Sequence, residues 1–100
     1  MSVLIIGKFE GDAAKFSQAL QERGGEFEQI AEQAKAQGAV HHRFGIGDGF
    51  VVVVDEWGSV DQFQSFFSDP RLQEFIASTG ALPGPPELIM AEATPSADQF

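Results

Sequence analysis

Two spacings of apolar residues alternate along this chain, and each change of spacing coincides with a glycine, a proline or a serine. Ser2 to Phe9 (SVLIIGKF) is a nearly unbroken apolar run, which predicts a strand covered on both faces. Beyond Asp12, apolar residues at Ala13, Phe16, Leu20, Phe27, Ile30, Ala31 and Ala34 follow helical steps as far as Gly38. They predict one amphipathic helix with Asp12 as N-cap and Gly38 as C-terminal cap. Gly24-Gly25 falls inside it and costs about 1 kcal/mol per glycine relative to alanine. Burial of each large apolar side chain returns about 1.5–3 kcal/mol, so the helix is expected to persist, with any kink or break at the glycine pair.

Ala39 to Ile46 and Phe50 to Trp57 flank Gly47-Asp48-Gly49, a composition that permits the positive φ angles of a tight hairpin. Four consecutive valines, Val51 to Val54, cannot share one side of a sheet, so both faces of this hairpin require cover. Ser59 then opens a helix with the Ser-x-x-Gln spacing of a capping box to Gln62, and Val60, Phe63, Phe66 and Phe67 form its apolar stripe. Pro70 starts a second short helix through Leu72, Phe75 and Ile76. After the rigid Pro83-Gly84-Pro85-Pro86 loop, Glu87 to Ala93 returns as the last strand. The order βαββαβ is that of a split βαβ pair and predicts an α+β, ferredoxin-like domain over residues 1–93, with a four-stranded antiparallel sheet and a loose tail at 94–100.

Composition narrows the function. The formal net charge of −9 repels phosphate backbones and anionic membranes, so neither a nucleic acid nor a membrane is expected as partner. No cysteine is present, no apolar run approaches the roughly 20 residues that span a bilayer, and Val3 to Ile6 is too short for a signal segment. A cytoplasmic location is expected. Gly45-x-Gly47-x-Gly49 joins two strands and lacks the helix that would hold a phosphate, so it reads as hairpin chemistry. The glutamates and glutamines of the first helix read as its solvated side, with no calcium-loop spacing among them.

The chemistry-bearing residues gather on the hairpin. His41 and His42 are adjacent on one strand and point to opposite faces, so they cannot chelate one metal together, and no metal or other cofactor is expected. A two-residue turn places His42 opposite Asp55 and His41 opposite Glu56, whereas a three-residue loop reverses the parity and sets His41 on the face of Asp55 and Trp57. In either case one imidazole shares a face with a carboxylate and with Trp57. Such a pair is a candidate catalytic base for a phenolic or enolic substrate, with His42 and Asp55 as the assigned residues. It is equally a structural polar cluster near the sheet end. Trp57 with Phe63 and Phe66 suits a flat apolar ligand, and His41 and Arg43 are further candidate ligand contacts. The same aromatic residues, among ten phenylalanines, also suit a core or a dimer interface.

Asp55-Glu56-Trp57-Gly58-Ser59, followed by Phe63, Phe66 and Asp69-Pro70, resembles the dimeric α/β-barrel superfamily, and within it the antibiotic biosynthesis monooxygenase-like domains. The resemblance covers nearly the whole chain. It implies a homodimer in which two four-stranded sheets pack face to face, which would cover the second side of the hairpin. Members of the superfamily include cofactor-free quinol oxygenases, haem-degrading oxygenases and small proteins without known activity. This chain departs from the haem degraders in carrying Phe66 where their helix histidine stands and in having no asparagine. It departs from the quinol oxygenases in having neither tyrosine nor asparagine. Three functions therefore stand side by side: a homodimer binding a small apolar or aromatic ligand, a cofactor-independent monooxygenase or isomerase acting on an aromatic or quinol-type substrate, and a structural interaction module. A cavity reached by one imidazole distinguishes the second from the others.

Overall fold

The computed structural model describes residues 1–100 and arranges them as β1 (Val3–Glu10), α1 (Ala13–Glu22), α2 (Gly24–Gln37), β2 (Ala39–Gly47), β3 (Phe50–Trp57), α3 (Val60–Phe67), α4 (Pro70–Ser78) and β4 (Glu87–Glu92). The strands form one antiparallel sheet in the order β2-β3-β1-β4, the ferredoxin-like α+β topology expected from the element order. The helices cover one face of it. Strand alternation sends Ile5, Val51 and Trp57 to that face, where all three are buried. Leu4, Ile6, Val54 and Ile89 go to the other face and stay 37–59% exposed. The continuous apolar reading of β1 and β3 thus corresponds to one face covered within the chain and one apolar face left open.

The hairpin turns on Asp48-Gly49, with the positive φ (80°) confined to Gly49. From Gly47↔Phe50 to His41↔Glu56 the register is that of the two-residue loop, so His42 is paired with Asp55. Beyond His41 the pairing shifts, and Ala39 meets Trp57 with Val40 as the extra residue of a bulge. The apolar pattern carries no sign of this bulge, because an inserted residue changes phase only for the single pair that follows it.

The single helix expected between Asp12 and Gly38 is two helices. The break falls at Arg23 (φ −120°, ψ 28°), one residue ahead of the glycine pair. The Arg23 N–H still bonds Ala19 O, closing α1, while its carbonyl accepts from Glu26 and Phe27 to open α2. Its guanidinium explains the position of the break. It donates to Glu26 and to Ser78 Oγ (2.8 Å), and it lies over the Phe75 ring at 4.6 Å, so Arg23 fastens the α1–α2 joint to α4. The same hydrogen bond from Arg23 holds the Glu26 carboxyl below its usual range.

The remaining helix ends follow the sequence closely. Asp12 Oδ1 caps α1 at Lys15 N, and Asp69 caps α4 ahead of Pro70 at the first helical position. Ser59 Oγ accepts from Gln62 N at 3.2 Å, but the Gln62 amide oxygen returns to the Ser59 hydroxyl rather than to its backbone N–H, so the capping box is only half formed. Gly38, at φ 121°, ends α2 in the left-handed region. No helix is long and apolar enough to cross a membrane.

Only nine of the 100 residues are buried, and the compact core is the trio Ile5, Trp57 and Phe63. Part of the remaining space between sheet and helices is not filled by side chains.

Candidate functional site

That space is a cavity of about 450 Å³, a size that accommodates a small organic ligand. Its sheet side carries Ile5, Phe9, Val51, Val53 and Trp57, and its helical side carries Phe27 and Ile30 of α2, Phe63 and Phe66 of α3 and Phe75 of α4. The aromatic rings do not interlock into one mass. Phe16, Phe27, Phe44 and Phe75 form one edge-to-face set, with centroids 5.0–5.9 Å apart. Trp57, Phe63, Phe66, Phe67 and Phe9 form a second set, with centroids 5.3–6.2 Å apart. Both sets line the cavity, the first edge-on throughout and the second with Phe63 stacked on Phe67 and Trp57 tilted to Phe66.

Into this carbon-lined space the hairpin places one polar chain. His42 Nδ1 lies 2.6 Å from Asp55 Oδ1, and the Trp57 indole N–H donates to Asp55 Oδ2 at 3.2 Å. Each link follows from strand geometry. His42 and Asp55 are a cross-strand pair, and Asp55 and Trp57 are two residues apart on one strand, hence on one face. Asp55 is 9% exposed and Trp57 1%, whereas the His42 side chain is 42% exposed and stands at the rim, edge-on to Phe44 at 4.5 Å. A carboxylate only accepts hydrogen bonds, so Nδ1 of His42 is the donating nitrogen and, in the neutral ring, Nε2 carries the lone pair. Both Asp55 oxygens are engaged, which fixes the carboxylate and through it the imidazole plane.

The structure thus brings together His42, Asp55, Trp57, Phe63 and Phe66 from among the residues singled out in the sequence. His41 and Arg43 also border the cavity from β2, yet alternation sets them in register with Glu56 and Val54, on the side of the strand away from Asp55. Two features have no counterpart in the sequence reading: the aromatic set built on Phe44, and the Arg23 clamp over Phe75. Phe44 is signalled only by its i,i+2 spacing from His42, which is visible once the hairpin register is known. No three His, Asp or Glu side chains converge as metal ligands would.

No family model matches the sequence, and no curated protein matches it either. Solved structures do match in shape. SnoaB, a cofactor-independent oxygenase from Streptomyces nogalater, superposes with a TM-score of 0.66 at 17% identity over 98% of both chains. A monooxygenase from the gene ActVA-Orf6 of Streptomyces coelicolor, solved in complex with nanaomycin D, gives 0.69 at 22% identity over 99% of this chain and 93% of its own. Rv0793 from Mycobacterium tuberculosis gives 0.63 at 17% identity over 98% of this chain and all of its own. At such identities the likeness is one of fold. This chain has the ferredoxin-like fold of the antibiotic biosynthesis monooxygenase-like proteins.

Proposed function

We propose that the protein binds a small phenol- or quinol-type aromatic molecule in this cavity and oxidises it with molecular oxygen, without a cofactor. The observation that carries this reading is the His42 imidazole at the rim of an apolar cavity, tied at 2.6 Å to a buried carboxylate. The hydroxyl of the bound molecule meets His42 Nε2, which takes its proton, and Asp55 balances the imidazolium that results. Where that hydroxyl is the enol form of an anthrone-type ketone, loss of its one proton gives a carbanion delocalised onto the former methylene carbon, electron-rich enough to reduce oxygen directly, and His42 returns the proton to the peroxide that forms. One oxygen atom stays on carbon as a carbonyl and the other leaves as water with the two methylene hydrogens, so the substrate supplies every electron. The surrounding aromatic rings exclude water and hold the molecule flat. Similarity of fold to a cofactor-independent oxygenase supports this reading without assigning the substrate.

The open sheet face supports a second element of the proposal, a homodimer in which Leu4, Ile6, Val54 and Ile89 of each copy are covered by the other. Light scattering on the eluting protein is expected to give twice the mass of 10.8 kDa. A monomer at micromolar concentration would remove this element.

The activity test is oxygen uptake with anthrone, whose enol supplies the hydroxyl and whose ring supplies the methylene, corrected for spontaneous oxidation. Wild-type protein is expected to accelerate uptake, and His42→Ala to lose at least about tenfold of that acceleration while still binding the product quinone. Equal rates for wild type and His42→Ala would end the catalytic reading and leave a binding protein. Failure of the quinone to bind either protein would end both.

A further inference from the structure

Resting on the reading of the cavity as a ligand site, we infer that it admits only uncharged aromatic hydroxyl compounds, and that Asp55 is the residue that turns carboxylated or phosphorylated analogues away. The charges around the cavity carry this argument. Asp55 is the buried one, and its two oxygens are already committed to His42 and Trp57. Glu10, Asp12 and Glu28 border the cavity as well. The cations that border it are not available inside. Lys35 is paired with Glu32 at 3.1 Å and its side chain is 67% exposed, while His41 and Arg43 alternate to the far side of β2, His41 opposite Glu56. Protonated His42 does not supply a net positive site, because the charge of Asp55 2.6 Å away cancels it.

An anionic ligand therefore meets no countercharge in either orientation. With its hydroxyl at His42, a carboxylate at the other end of the molecule lies among phenylalanine rings and loses its hydration without compensation. With its carboxylate at His42, it faces the Asp55 charge through the imidazole, in surroundings where water screens poorly. The net charge of −9 opposes its approach from a distance as well. A neutral hydroxyl has none of these costs and finds one acceptor, Nε2, in the position to receive it. The selection is one of charge and leaves the ring system free to vary within about 450 Å³.

The test compares 2-naphthol with 6-hydroxy-2-naphthoate and 2-naphthyl phosphate by isothermal titration calorimetry at pH 7 on the full chain. In wild-type protein the naphthoate is expected to bind at least about tenfold more weakly than naphthol, and the phosphate more weakly still. Asp55→Asn, which keeps the shape and an accepting oxygen, is expected to narrow the naphthol-to-naphthoate gap at least threefold. Equal affinity of wild-type protein for naphthol and naphthoate would overturn the inference, and so would a gap unchanged in folded Asp55→Asn. The wild-type comparison decides the matter even if that variant fails to fold. Naphthol binding with the expected selectivity, but without accelerated oxygen uptake on anthrone, would sink the oxygenase and leave the charge selection standing.

Discussion

Replacing Trp57 with phenylalanine tests the link on which the geometry of the site depends. The indole is 1% exposed and its N–H is the partner of Asp55 Oδ2 at 3.2 Å. The substitution keeps an aromatic ring against Phe63 and Phe66 but removes the donor, leaving one oxygen of a buried carboxylate unpaired. A hydrogen bond to a charged group contributes about 1.5–3 kcal/mol. Loss of the indole's extra ring atoms from a fully buried position adds about 1 kcal/mol. The expected destabilisation is therefore about 2.5–4 kcal/mol, or a fall of at least about 10 °C in Tm for a domain of this size. Urea unfolding followed by circular dichroism is the suitable assay, since Trp57 is the only tryptophan and its fluorescence disappears with it. Protein concentration is held constant so that any dimerisation affects all variants equally. A double-mutant cycle with Asp55→Leu isolates the pair and is expected to show a coupling of at least about 1 kcal/mol. Additivity of the two substitutions within about 0.5 kcal/mol would show that Trp57 and Asp55 do not act on each other, and the account of a fixed carboxylate would fail.

Further outcomes follow from the helices. An added Cβ at Gly24 or Gly25 meets nothing within 4 Å, and neither residue has a positive φ, so Gly24→Ala and Gly25→Ala are each expected to raise stability by about 0.5–1 kcal/mol; an unchanged or lower urea midpoint would contradict this. Ser59→Ala removes the cap on Gln62 N and is expected to cost about 1 kcal/mol by the same assay, a loss that Ser59→Thr or Ser59→Asp largely avoids. Glu26, hydrogen-bonded to Arg23, has its folded pKa lowered, so its contribution is present above the unfolded value of 4.5 and is lost as pH falls through the lower folded one. Glu26→Gln is therefore expected to flatten the acid side of the stability profile, an effect kept small by solvent exposure; an unaltered slope below pH 4.5 would remove this pair from the account.

Much of this architecture was legible because its signals are local. Gly47-Asp48-Gly49 between two β-branched runs marks the hairpin, and pairing outward from a two-residue turn already sets His42 against Asp55. Caps at Asp12 and Ser59 are equally local. What escaped the sequence depends on contacts between distant segments. The glycine pair suggested where the first helix is weak, but the break sits on Arg23 because α4 offers Phe75 and Ser78 to its guanidinium. The hollow interior was illegible for a different reason. A phenylalanine that fills a core and one that lines a wall have the same spacing and hydropathy, so Phe16, Phe27 and Phe75 gave no hint that they enclose space. The open apolar face was half legible: the run Val51 to Val54 demands two covers, and the chain itself provides one.

The bulge at Val40 and the turn at Asp48-Gly49 together decide which of two neighbouring imidazoles enters the protein. The spare residue is absorbed before His41, so the count from the turn reaches Asp55 at His42. Had the slack been taken up on the turn side, every side chain between would change sides and His41 would inherit the carboxylate. A three-residue loop at Gly47-Asp48-Gly49 in place of the two-residue turn is thus an exchange of one histidine for its neighbour, without alteration of any side chain at the site. Proton titration of the two rings by NMR, in a variant whose loop residues favour the longer loop, would reveal which had become Asp55's partner. Loop length here functions as a chemical setting, a degree of freedom by which related chains can re-aim a reactive group while every residue around it stays the same.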